Sequence, residues 1–170
     1  DSIAYYNKAL VYLSMNEKQN AFLELNKAIE LSPYYEEALF ERALIYREQK
    51  KYKKALDDIK ACLFYDIDNL EYRKNEADLT FLLAQYDVSE SKYVSLNQRN
   101  PSTFNKEQIA YCQMYLGKNW PAIESFTALI NKDSTNASYF YNRAVVYVNI
   151  DRNEEAEKDL KEIKEDNKNL

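Results

Sequence analysis

The chain has 170 residues, a hydrophobic fraction of 46% and a net charge of −5 from 28 acidic and 23 basic residues. That is enough length and apolar material for a folded core in one or at most two domains, and the acidic balance disfavours nucleic acid as a partner. One Gly, three Pro and no His exclude a glycine-rich phosphate loop, leave little hairpin-turn chemistry and remove the commonest general base and metal ligand.

The chain opens "DSIAYYNKAL", without an initiating Met or a charged-then-apolar leader, as expected of a processed chain or an excised piece. "YYNKALVYL" places Ala9 inside an apolar stripe of helical period, and the polar "MNEK" follows as a turn. A second helix carries Ala21, Leu25 and Ala28 on one face and stops at Pro33. "LFERALIYR" repeats the first pattern around Ala43, "EQKK" is the turn, and Ala55, Ile59 and Cys62 repeat the second. Asp68 followed by Glu71 is expected to form an N-terminal capping pair for the next helix. Ala77 marks that helix; Ser89, Tyr93 and Leu96 mark its successor, which stops at Pro101. Ala110, the turn "LGKN" and the stripe Ala122, Phe126 and Leu129 come next. "YFYNRAVVYV" around Ala144, the turn "IDRN" and the stripe Ala156, Leu160 and Ile163 complete the series. The final "NEEAEKDLKEIKEDNKNL" has one apolar stripe and is otherwise charged, which suits a terminal capping repeat.

Successive second-helix starts are 34, 34, 33 and 34 residues apart, and an alanine lies twelve residues before each of the five. Two markers holding one phase describe a repeated unit, with copies over about 2–35, 36–69, 70–102, 103–136 and 137–170. The missing residue falls in "PSTFNKEQI", where a local bend between the third and fourth copies is expected.

Period and markers together resemble the tetratricopeptide repeat family, whose unit is a helix-turn-helix of 34 residues. Tyr12, Tyr46 and Tyr147 stand at the family's first-helix tyrosine; Thr80 and Gln113 replace it in the third and fourth copies. The family's Leu before the small residue is Lys8, Arg42, Glu76 and Arg143 here, and its Gly is Ala throughout. The resemblance implies an all-α helical-repeat solenoid, a right-handed superhelix of antiparallel helix pairs in one domain. It also implies a concave surface, lined by first helices, that binds a peptide or helix of a partner protein. Carried onto this sequence, the groove positions are Tyr6, Leu10 and Leu13; Phe40, Leu44 and Arg47; Arg73, Asp78 and Phe81; Glu107, Tyr111 and Met114; and Tyr141, Val145 and Val148. The carboxylate clamp of some family members is absent, because its places hold Tyr6, Leu10, Glu71 and Lys74.

No catalytic residue, cofactor or metal ligand is expected. Asp57/Asp58 and Glu154/Glu155 are sequence neighbours and read as solvated charge. Cys62 and Cys112 lack metal-type spacing and read as buried thiols. "REQKKYKK", Arg47 to Lys54, reads as a solvated helix start, or else as a dock for an acidic partner; "NAS" at Asn136 formally matches a glycosylation acceptor. No apolar run reaches the length of a membrane span, and compartment is left open. The leading function is a protein-interaction scaffold. The alternatives are a self-associating assembly subunit, as a homodimer through the apolar first helix, and a peptide-sensing regulatory module. That helix also leads to the expectation that the natural protein continues before Asp1. Ala43→Leu or Ala144→Leu is expected to overpack a close helix contact, and Arg42→Gln or Arg143→Gln to cost much less.

Overall fold

The computed structural model describes residues 1–166. Among these residues all regular structure is helical, in ten elements. They are α1 (Ser2–Ser14), α2 (Lys18–Leu31), α3 (Glu36–Glu48), α4 (Tyr52–Tyr65), α5 (Leu70–Leu82), α6 (Tyr86–Arg99), α7 (Thr103–Tyr115), α8 (Asn119–Lys132), α9 (Ala137–Val148) and α10 (Asn153–Asp166). This is the all-α helical-repeat solenoid that the sequence implies. The chain divides into two compact units, Asp1–Gln85 with α1–α5 and a second beginning at Tyr86 with α6–α10.

The turn that closes each odd-numbered helix is built one way five times. Asn16, Lys50, Ala84, Gly117 and Asp151 all adopt positive φ, between 58° and 68°. The next residue's N–H reaches back to the carbonyl of Tyr12, Tyr46, Thr80, Gln113 or Tyr147, at 2.8–3.0 Å. This is a Schellman motif, in which a left-handed residue lets orphan helix carbonyls find donors. Gly117 adopts that conformation freely, whereas the other four pay its steric cost for the same hydrogen bonds.

In the first unit, Ala9, Ala21, Leu25, Ala28, Ala38 and Ile45 form one buried cluster, and Ala43, Ala55, Leu56, Ile59 and Leu79 form the next. In the second, Ala110, Ala122, Phe126, Leu129, Phe140 and Val146 share a cluster. The alanine markers are buried because helix axes approach closely there and a longer side chain has no room. Cys62 and Cys112 are free, buried thiols, and burial pushes the Cys62 thiol up to about 12.

Two expectations are corrected. The cap of α5 is Asn69, whose Oδ1 accepts from the N–H groups of Glu71 and Tyr72 at 3.0 and 3.3 Å; Asp68 lies one residue too early. Asp58 is buried rather than solvated, because Arg42 reaches it from α3. Asp57 and Glu154 are exposed, and Glu155 accepts a hydrogen bond from Arg152.

Candidate functional site

The positions expected to line a groove lie on the odd-numbered helices, and the structure divides them by what they touch. In the first unit, the Tyr6 ring stands 5.0 Å from that of Tyr35, and Tyr6 and Leu13 lie against the cluster around Leu25. Phe40 packs on the Tyr72 ring at 4.9 Å. Leu10 is exposed, and Leu44 and Phe81 are half-buried. Arg47 and Asp78 are brought together: the Arg47 guanidinium donates to Asn75 at 3.0 Å and lies 3.9 Å from the Asp78 carboxylate. Arg73 instead turns toward Asp68, at 3.5 Å.

In the second unit, the Tyr111 ring sits 5.7 Å from Phe126, and Tyr111 and Met114 pack against that core. Glu107 accepts a hydrogen bond from the Tyr139 hydroxyl, and burial together with that bond pushes the Tyr139 phenol up to about 12. Val145 is half-buried, whereas Tyr141 and Val148 stay 56% and 53% exposed. The core therefore needs Tyr111 and Met114 as well as any partner would, and leaves Tyr141, Val148 and Leu10 to solvent.

Glu37 and Glu41 of α3 lie near the Tyr6 ring. Burial raises the Glu41 carboxyl above the ordinary carboxylate range, and Glu71 adds to the effect. The Tyr6 phenol is raised by burial first and by Glu41 next. The basic stretch lies elsewhere: Lys50, Lys51 and Lys53 are exposed around the α3–α4 turn, and the Lys54 ammonium stands 5.7 Å over the Tyr46 ring. Asn136 caps α9 by accepting from the Ser138 N–H at 3.1 Å.

The sequence profile of the tetratricopeptide repeat matches residues 3–35, 36–65 and 137–165, more than half of the chain. The chain belongs to the tetratricopeptide repeat family. This tetratricopeptide chain is 27% identical over 172 residues to DnaJ homolog subfamily C member 3 of Gallus gallus, covering 89% of this chain and 34% of that protein. It is 35% identical over 68 residues to sperm-associated antigen 1 of Mus musculus, covering 40% of this chain and 8% of that one. It thus spans about a third or less of the length of these relatives. Among solved structures, YrrB, described as a TPR protein with an unusual peptide-binding site, superposes with a TM-score of 0.82 at 24% identity, over 98% of this chain and 86% of its own. MamA from Desulfovibrio magneticus RS-1 superposes with a TM-score of 0.85 at 12% identity, over 99% and 96%. No described helix is long and apolar enough to cross a membrane.

Sequence reasoning about this tetratricopeptide chain missed the ties made by residues just before the alanine markers. Arg42 makes two 2.8 Å bonds to Asp58 in its own helix pair and a 2.9 Å bond to Asn26 of the preceding one. Arg143 repeats this with Asp159 and Thr127, at 2.8, 2.6 and 2.8 Å. Lys8 binds Glu24 at 3.0 Å by the same sixteen-residue step. The signal was available, since a base before each of three markers is followed sixteen residues later by an acid.

Proposed function

We propose that this chain is a non-catalytic protein-interaction scaffold whose odd-helix faces hold an extended peptide or a helix of a partner protein. Family membership supports protein partners in general, and the likeness to YrrB supports a peptide as the form of one. The observation that carries the reading is the exposure of apolar groups on those faces, above all Tyr141 and Val148 on α9. The core gains nothing from them there, and an aromatic ring with a polar tip is a good anchor for a partner. The test begins with affinity capture by the intact chain, followed by calorimetry on the recovered partner. Tyr141→Ala should weaken binding by about 2 kcal/mol with the circular dichroism spectrum unchanged. Lys53→Gln with Lys54→Gln should alter mainly the on-rate and its salt dependence. Loss of binding in the lysine variant alone would move the function to the basic turn. Tyr111→Ala is the poorer probe, because that ring is part of the Phe126 cluster.

A second reading, self-association through α1, has one specific observation behind it. Val11 is 57% exposed, while Ile45, Leu79, Cys112 and Val146, at the same place in later odd helices, are 3% exposed or less. Light scattering on the isolated chain decides it: a dimer that Val11→Glu converts to monomer supports the reading, and a monomeric parent ends it.

A further inference from the structure

The last turns of α2 and α4 and the connections that follow them carry large apolar side chains where the fold does not require them. Leu31, Tyr34, Phe64 and Ile67 are 58%, 70%, 82% and 65% exposed, and Tyr65 is 47% exposed. The Tyr34 and Tyr65 rings lie 5.7 Å apart, and those of Phe64 and Tyr65 lie 5.2 Å apart. The two connections thus share one three-ring surface within the first unit. The repeat supplies an internal control. Leu31 and Tyr65 correspond to Arg99 of α6 and Lys132 of α8, and Phe64 corresponds to Gln98 and Asn131. Polar residues serve the same turns, so helix closure does not demand aromatic ones.

The electrostatics of the patch are also unusual. A helix C-terminus carries partial negative charge and is stabilised by a cation in its last turn. α6 and α8 have one there, Arg99 and Lys132; α2 and α4 have none. Glu30 occupies the last turn of α2 instead, and Asp66 is the C-cap residue of α4, both exposed. The nearest upstream cation on α2, Lys27, is held by Glu24 at 3.2 Å, while Lys60 on α4 is exposed a turn before Phe64. The Arg73 guanidinium of α5 is spent on the Ile67 carbonyl and Asp68 of the α4–α5 connection. Exposed rings and uncompensated helix ends each cost stability, and local rules broken together without a structural gain mark a functional surface.

We propose that this patch docks a cationic amphipathic segment of another protein. Its Lys or Arg groups would sit over the Tyr34, Phe64 and Tyr65 rings and against the two helix ends. Its apolar residues would cover Leu31 and Ile67. Charge selects this occupant: an anionic lipid surface is repelled by the same carboxylates and helix ends. A second copy of a chain with net charge −5 is repelled on balance, its exposed basic turn at Lys50–Lys54 lacking the apolar stripe that would cover Leu31 and Ile67. The patch residues come from even-helix ends and the connections after them and share no member with the odd-helix positions, so docking there does not depend on the peptide-groove reading.

The test uses the whole 170-residue chain, isotope-labelled. The probe is a helical peptide of leucine and lysine with leucine along one face; a leucine–glutamate peptide and vesicles of phosphatidylcholine with phosphatidylserine are the comparisons. Amide shifts induced by the lysine peptide should concentrate on residues 30–37 and 63–70. Tyr34→Ser with Phe64→Ser should weaken its binding about tenfold, and the glutamate peptide and the vesicles should not bind. Shifts confined to α1, to residues 38–48 of α3 or to the second unit overturn the proposal. So does unchanged affinity in the double variant, vesicle binding that the double variant abolishes, or self-association that it abolishes.

Discussion

Arg42 and Arg143 show how one side chain can hold two helix pairs. Each guanidinium spends two donors on a carboxylate of its own pair and one on the pair before it. Asp58 and Asp159 are 7% and 4% exposed, so removing the base leaves a buried acid without its cation. Arg42→Gln should therefore cost about 2–4 kcal/mol rather than the small amount that the sequence suggests. Adding Asp58→Asn should recover much of the loss; urea melts of the two single variants and the double variant measure the coupling. Two carboxyls should move stability with pH in opposite directions. The Lys8 and Lys27 ammonium groups depress the Glu24 carboxyl, so its contribution is full above the ordinary carboxylate range and is lost as pH falls. Burial raises the Glu41 carboxyl, so folding is favoured when it is protonated and loses that support as pH rises through the folded value. Glu41→Gln should raise the midpoint of unfolding at pH 7 and have little effect near pH 3, where the parent's carboxyl is already neutral.

At the scale of the element, the five Schellman turns divide into one glycine and four residues forced to positive φ. Lys50→Gly and Ala84→Gly should each stabilise by about 0.5 kcal/mol, the steric relief exceeding the entropy that glycine loses on folding. Gly117→Ala should destabilise by about 1 kcal/mol although nothing lies within 4 Å of an added Cβ, because the conformation carries the cost. Thermal melts of the three variants test both signs. The same turns account for the single glycine of the sequence. A Schellman closure gains two backbone hydrogen bonds and tolerates Asn, Asp, Lys or Ala at a modest penalty, so scarcity of glycine did not preclude tight turns.

At the scale of the molecule, helices within each unit meet their neighbours in the chain, and stability accumulates pair by pair. Trp120 on α8, with the Arg152 guanidinium 5.7 Å over its ring, reports on the pairs next to it. Ala144→Leu should overpack α9 by about 1–3 kcal/mol and shift the tryptophan fluorescence transition more than Ala43→Leu does. Both variants should lower the far-ultraviolet dichroism midpoint. A tryptophan transition equally sensitive to the two would show that the pairs do not act as near neighbours.

Much of this was legible in the residues themselves. Alanine at a fixed phase and stripes of period 3.6 specify which helix faces approach closely, because only a small side chain admits a second axis there. That local rule is enough for helix identity, the repeat and the all-α class. It was not enough for Asp58, which reads as solvated beside Asp57 until α3 delivers Arg42 to it across sixteen residues. Nor did it separate Tyr111, seated against Phe126, from the exposed Tyr141, since one residue after a marker and three before it fall on the same side of a helix. Tyr34 in a connection and Phe64 at the exposed end of α4 fall outside the apolar stripes, and only the fold brings them to one surface. Periodicity determines the face that a side chain takes on its own helix. What waits on that face depends on residues a full repeat away, and tertiary packing alone puts them there.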